Sequence, residues 1–253
     1  MIRTLSQADI PGFKVDPERV WGMAGYSDPS RARPIMQKAF QQAWEIGPSL
    51  LEPAACYDTF PITGVTSCSV TVNGAVSFQS RDLAEHFREA REMTVLIVTI
   101  GPRLEKQVEK LFEEGNSGVG CILDLLGSTA VEEVAYRVRD LIQEDALAKG
   151  YRAMTHGYCI GKTCPAYTDC GGSVAYWWSP GYGDLPTAEQ RKVFNLIDGA
   201  KIGVRLSESC MMTPRKSYAC LIPIGPQEEK VSYACDEGDK DWITLGSLCP
   251  TKS

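Results

Sequence analysis

An α+β fold is the class this sequence predicts, and three observations predict it. Strand-like segments are grouped with a hairpin and with helices, without the regular strand-helix-strand alternation of a parallel sheet. An Asn-Gly pair joins two β-prone runs, an antiparallel signal. Several stretches carry apolar residues at helical spacing, beside β-branched runs that do not.

In chain order, an irregular start gives way to residues 31–46, where Met36, Ala39, Phe40 and Ala43 fall at helical spacing and Gly47-Pro48 ends the helix. SVTVNGAVSF, residues 69–78, reads as two strands joined by Asn73-Gly74, which suits the positive φ angles of a type I′ hairpin. Ser80 is placed to cap a helix carrying Leu83, Ala84 and Phe87. TVLIVTIG, residues 94–101, is rich in β-branched residues and predicts a buried strand. Leu104, Val108, Leu111 and Phe112 share one helical face until Gly115 breaks the pattern. A second helical stretch runs from about Val119 to Leu147, with Val131, Val134, Ala135, Val138, Leu141 and Ile142 as its apolar stripe. Gly127 and Ser128 interrupt it, which predicts a bend or a split there. After Gly150 the periodicity fails, and residues 151–176 read as loop with short strands. Thr187 and Gln190 have capping-box spacing, so a helix is expected from near Ala188, with Val193, Phe194 and Ile197 inward and Gly199 as its end. KIGVRLSES and SYACLIPIG then read as strands. No internal repeat is present.

Composition narrows the function. The 253 residues are read as one domain, 1–253, with ample length for a core. Hydrophobic residues make up 43% of the chain, yet no apolar run approaches the roughly 20 residues that cross a bilayer, and the amino terminus has no signal-peptide pattern. A cytoplasmic protein without a membrane partner is expected. Lys plus Arg total 26 against 32 Asp plus Glu, a net charge of −6, and no basic tract offers a phosphate-binding surface, which argues against nucleic acid. Ten cysteines in a chain of this length, without a secretion signal, are expected to be reduced. Cys56, Cys68 and Cys121 stand among apolar or small residues and read as packing residues.

Two segments carry chemistry. WWSPGYGDLPTAEQ, residues 177–190, sets a rigid aromatic loop before the helix start. Pro180 fixes its own φ, while Gly181 and Gly183 permit turns and let a ligand approach the main chain. Backbone N–H groups at the amino end of a helix favour an anionic group. The plainer reading is an ordinary strand-to-helix turn with its aromatics in the core. GYCIGKTCPAYTDCGG places Cys159, Cys164 and Cys170 at C-x4-C-x5-C spacing, three thiols that can ligate an iron-sulfur cluster, with Cys210, Cys220, Cys235 or Cys249 as a fourth. Zinc is the other metal option, although the C-x2-C knuckle is absent; His156 is a further candidate ligand. The spacing matches no standard signature, and unligated thiols would look the same. No acid, base or nucleophile constellation stands out.

The strings VTIGPRLEKQVEKLFEEG, ILDLLGSTAVEEVAYRV and SPGYGDLPTAEQRKVFNLIDGAKIGVRLSESCMMTPRKS, in that order, resemble the activation (reactivation) domain of cobalamin-dependent methionine synthase, especially its free-standing relatives. The likeness spans residues 94–224. It implies a twisted antiparallel sheet flanked by helices and a site for S-adenosylmethionine. In the full-length synthase that domain caps the corrinoid so that an oxidised Co(II) cofactor can be reduced and remethylated. The family's R-x-x-x-G-Y loop holds the methyl donor; Gly181 and Tyr182 match its Gly-Tyr, and Ser179, Pro180 and Gly183 surround them. The family's Arg falls on Trp177, which cannot offer a bidentate cationic fork, so Arg152 or Arg205 would have to replace it. Glu132 aligns with an acidic residue used at the donor site, the other reading being a solvated helix face. The implied function is an accessory role in reductive methylation of a separate corrinoid protein or cobalamin-dependent methyltransferase. Two alternatives stand beside it: a non-catalytic corrinoid-protein partner that has lost the donor, and an iron-sulfur redox protein on the same scaffold.

Overall fold

Prolines and side-chain caps decide where the helices begin. The structure, a computed structural model, describes residues 2–153 and 178–226. Strand β1 (Arg3–Leu5) is followed by helix α1 (Pro17–Met23), whose first turn is set by Pro17 and by Asp16, which accepts from the Glu18 N–H. Helix α2 (Pro34–Ile46) begins three residues later than expected, because Pro34 confines Arg33 to an extended conformation (φ −59°, ψ 145°). It ends at Gly47 as expected. Its buried Phe40 stacks on Trp21 of α1 at 4.1 Å and on Trp44 at 5.7 Å.

Strands β2 (Ala54–Val65), β3 (Ser69–Val72) and β4 (Val76–Gln79) come next. In the β3–β4 hairpin Val72 pairs with Val76, and Asn73 (φ 55°) and Gly74 (φ 69°) carry the positive φ angles expected of the turn. Helix α3 (Arg81–His86) is capped by Ser80, whose hydroxyl accepts from the Leu83 N–H. Strand β5 (Glu92–Thr99) is buried from Met93 onward. Helix α4 (Arg103–Glu113) buries Leu104, Val108 and Leu111, while Phe112, expected on the same face, is 47% exposed.

Helix α5 (Ser117–Leu147) is one helix of 31 residues, not two. Of the bend or split expected at Gly127 and Ser128, the split does not occur. Ser128 and Thr129 turn their hydroxyls back onto the carbonyls of Asp124 and Leu125, at 3.3 and 3.1 Å, inside the helix. Gly127 sits where a Cβ would come within 2.6 Å of Leu104, so its lack of a side chain serves packing of α4 on α5. Strand β6 (Tyr151–Ala153) follows. A 3-10 turn at Thr187–Glu189 then leads into helix α6 (Gln190–Leu196). The capping box is not completed, since Gln190 Oε1 is buried without a hydrogen-bond partner among the described residues. KIGVRLSES was expected to be one strand. Its first part is instead a 3-10 turn, Gly199–Ile202, with Asp198 accepting from the Ala200 N–H, and only the two-residue strand β7 (Arg205–Leu206) remains, paired with β8 (Met212–Thr213). The final strand is β9 (Ser217–Pro226).

Among the described residues, seven strands form one antiparallel sheet in the order β4-β3-β2-β5-β9-β6, with β1 also paired to β2. Bonds at both ends of β5 fix its direction: Glu52 donates to Ile100 and Ile62 to Arg91, each at 2.9 Å, on the β2 side, and Arg91 donates to Ile224 at 2.8 Å on the β9 side. The chain divides into two compact units. One is Met1–Asp58, Val95–Arg139 and Thr187–Ala219; the other is Thr59–Thr94, Asp140–Pro186 and Cys220–Ser253. Leu104, Ile122, Leu123 and Leu126 are fully buried in the first, and Phe78, Leu83, Phe87 and Met93 in the second. Cys56 is a packing residue as expected, and burial, with the Asp198 charge second, pushes its thiol up to about 12. Cys68 and Cys121 are not: both are exposed. Among the described residues no helix is long and apolar enough to cross a membrane.

Candidate functional site

The Gly-Tyr-Gly loop is held by contacts within the second unit. At its entry the Trp178 carbonyl accepts from the Leu221 N–H at 2.9 Å, an isolated bridge to β9. The Trp178 ring lies 4.7 Å from the His86 ring and 5.6 Å, edge-on, from that of Phe87, both at the carboxyl end of α3. Ser179 and Pro180 are buried. The chain then turns on Gly181 (φ 103°) and Gly183 (φ 56°), values that an L side chain resists. Between them Tyr182 is 69% exposed.

Three internal bonds close this turn. The Gly181 N–H donates to the Leu185 carbonyl at 2.8 Å, the Tyr182 N–H to Ser179 at 3.1 Å and the Leu185 N–H to Tyr182 at 3.1 Å. The loop's main chain was expected to offer N–H groups to an anion. Those of Gly181 and Tyr182 are instead used inside the loop, because a turn this tight satisfies its own donors first. The Ser179 hydroxyl, on a residue only 3% exposed, has no hydrogen-bond partner among the described residues.

At its exit the loop is tied to the other end of α3. Asp184 accepts from the Ser80 hydroxyl, from the Arg81 N–H at 2.6 Å and from the Asp82 N–H at 3.4 Å. Two of the N–H groups that a helix leaves unpaired in its first turn are thereby satisfied, and Ser80 satisfies a third on Leu83. Partial desolvation would raise the Asp184 carboxyl, but the Ser80 hydroxyl and these backbone donors outweigh it and hold it below the usual carboxylate range. Sequence reasoning missed Asp184. Its partners lie about a hundred residues earlier, and its only local signal is its place directly after Gly-Tyr-Gly.

The fold matches that of the MetH reactivation domain. A crystal structure of that domain bound to AdoHcy superposes with a TM-score of 0.64, covering 90% of this chain and 80% of that one at 12% sequence identity. No protein-family model and no curated protein matches the chain.

Of the residues carried over from the MetH reactivation-domain family, Ser179, Pro180, Gly181, Tyr182 and Gly183 form the loop described above. Glu132 and Arg205 belong to the first unit. Glu132, on α5, accepts from Arg19 of α1 at 2.8 Å, within a cluster in which Arg19 also meets Glu133 at 3.4 Å and lies over the Tyr136 ring at 5.4 Å. Burial raises the Glu132 carboxyl, and Arg19 offsets this only in part. Arg205 is exposed on β7. Arg152 is half-buried on β6, where its residue pairs with Gly225 of β9. Trp177, His156, Cys159, Cys164 and Cys170 lie outside the described residues, as do Cys235 and Cys249. The other two cysteines considered as a fourth ligand, Cys210 and Cys220, are buried. Among the described residues no three His, Cys, Asp or Glu side chains are grouped to hold a metal ion.

Proposed function

We propose that the protein supports reductive methylation of a corrinoid carried by another protein, with S-adenosylmethionine as methyl donor at the 179–183 loop. The observation that carries this reading is the fold match to a domain that binds AdoHcy, which is S-adenosylmethionine without its methyl group. Three features of this chain support it. The loop bearing the family's Gly-Tyr is anchored at both ends, its apex carries an exposed aromatic ring, and the buried Ser179 hydroxyl is a polar group without a partner among the described residues. The corrinoid of the partner would supply the methyl-accepting cobalt once an electron donor has reduced Co(II) to Co(I). This chain's residues would position the donor and cover the corrinoid.

The donor's carboxylate is the weak point of the site. An arginine fork gives charge-assisted bonds of about 1.5–3 kcal/mol each, whereas Trp177 has one neutral N–H. Binding to the native chain is therefore weak, and Trp177→Arg tightens it by about one to two powers of ten in calorimetry. Loss of binding in Arg152→Ala or Arg205→Ala would identify a substituted cation. Gel filtration with a Co(II) corrinoid protein shows co-elution. If the corrinoid protein fails to associate and no variant binds S-adenosylmethionine, the reading falls. A second reading, a corrinoid-protein partner without a donor, is favoured by the inward-turned N–H groups of Gly181 and Tyr182. It predicts association without donor binding by any variant.

A further inference from the structure

We infer that Asp184 is a positioning residue, a latch that holds the Gly181-Tyr182-Gly183 apex in its binding conformation by fastening the loop to the first turn of α3. The inference rests on the reading of this loop as the donor site. It starts from the lengths involved. Helix α3 has six residues, too short to persist on propensity alone, so its first-turn N–H groups need acceptors. Ser80 supplies one, to Leu83, and the carboxylate of Asp184 supplies those for Arg81 and Asp82. The Ser80 hydroxyl is shared, accepting from Leu83 while donating to Asp184, so helix cap and loop anchor are one network.

The opposite end of the helix completes the clamp. Trp178, six residues before Asp184, packs on His86 and Phe87, so the loop spans α3 from its last residues to its first. A two-glycine turn is otherwise costly to order. With both ends tied to one short helix, that entropy is lost on folding and not again on binding a ligand. Steric room at the apex agrees with a close seat on α3: a Cβ on Gly183 would stand 3.4 Å from Asp82 Oδ2. Tyr182, between the anchors, is left facing solvent. Both carboxylate oxygens of Asp184 are engaged with the start of α3. Asp184 acts through the conformation of the residues before it.

The test combines a double-mutant cycle with amide hydrogen exchange on the full chain. Asp184→Ala and Ser80→Ala each weaken S-adenosylmethionine binding by about tenfold, the scale of one charge-assisted hydrogen bond, and the double variant is no weaker than the worse single one because both break the same network. Asp184→Asn, which keeps one acceptor oxygen, recovers part of the loss. In the same variants the amides of Gly181, Tyr182, Leu185 and Leu83 exchange faster while those of β5 do not, which distinguishes a local latch from general destabilisation. Should Asp184→Ala fold poorly, Ser80→Ala and Asp184→Asn carry the comparison. Equal affinity in the native chain and the three single variants overturns the inference, as does strict additivity of the two alanine substitutions. If the native chain binds no S-adenosylmethionine, the donor reading fails by itself and the exchange data decide the latch: unchanged protection of Gly181, Tyr182 and Leu185 in Asp184→Ala overturns it.

Discussion

Asp184 and Glu132 are both acidic, and their surroundings push their carboxyl groups in opposite directions. For Asp184 desolvation is outweighed by the Ser80 hydroxyl and the backbone donors of α3, so its folded-state value lies below the unfolded one. The stability it contributes is complete above the unfolded value of about 3.9 and is lost as pH falls through the depressed folded value. For Glu132 burial outweighs Arg19, so its folded-state value is raised and the charged form is the less favoured one in the fold. As pH rises from about 4.3 through that raised value, the wild-type carboxylate becomes a cost. Asp184→Asn therefore lowers stability at pH 7 by about 1 kcal/mol, the usual worth of a helix cap. Glu132→Gln leaves stability unchanged or raises it, within about 1 kcal/mol because the Glu132 side chain, though partly desolvated, is still 48% exposed. Urea midpoints check both signs: the Glu132 difference shrinks as pH falls from about 7 to 4, whereas the Asp184 difference holds across that range and shrinks only below about pH 3.9. A loss of several kcal/mol in Glu132→Gln would contradict this account of the Arg19 pair.

Helix α5 shows how an element can override its own propensities. Glycine in a helix interior costs about 1 kcal/mol relative to alanine, yet Gly127 lies in the middle of an unbroken helix. Its Cβ position falls 2.6 Å from Leu104 and 3.5 Å from Ile100, and the Leu104 side chain is fully buried. Gly127→Ala is thus expected to destabilise by about 1 kcal/mol net, overpacking exceeding the propensity gain. Gly22 of α1 is the control, since a Cβ there meets nothing within 4 Å. Gly22→Ala should stabilise by up to about 1 kcal/mol. Chemical denaturation of the two variants separates propensity from packing: a gain in both would mean that α4 and α5 can separate to admit the methyl group.

At the scale of the whole molecule, the two compact units are not successive in the chain. Strands β2, β5 and β9 and helix α5 each have residues in both, so melting one unit would truncate strands and a helix of the other. One cooperative unfolding transition is expected, with far-ultraviolet circular dichroism and tryptophan fluorescence giving coincident curves in urea. Two separated transitions would show that the units unfold independently. The net charge of −6, without a basic tract, offers no attraction to phosphate.

Features governed by interactions within a few residues were legible in the sequence. The Asn73-Gly74 hairpin, the Ser80 cap, the Gly47 and Gly115 stops and the buried run of β5 depend on local backbone geometry and side-chain period, and each formed where it was expected. The Asp16-Pro17-Glu18 start of α1 was equally legible but lay in a segment read as irregular. Strand β2 was obscured by Pro61 and Gly64, which weaken a strand pattern and here accompany a register shift against β3 between Ile62 and Gly64. Tertiary structure alone decided the rest. Pairing of Asp184 with Ser80, Arg81 and Asp82, of Glu132 with Arg19, and of Gly127 with Leu104 joins residues far apart in the chain, and no local period encodes such partners. The sequence thus placed the Gly-Tyr loop before a helix. Only the fold turned its N–H donors inward and tied it to α3, because a buried polar group must take whichever partner the packed chain brings within reach.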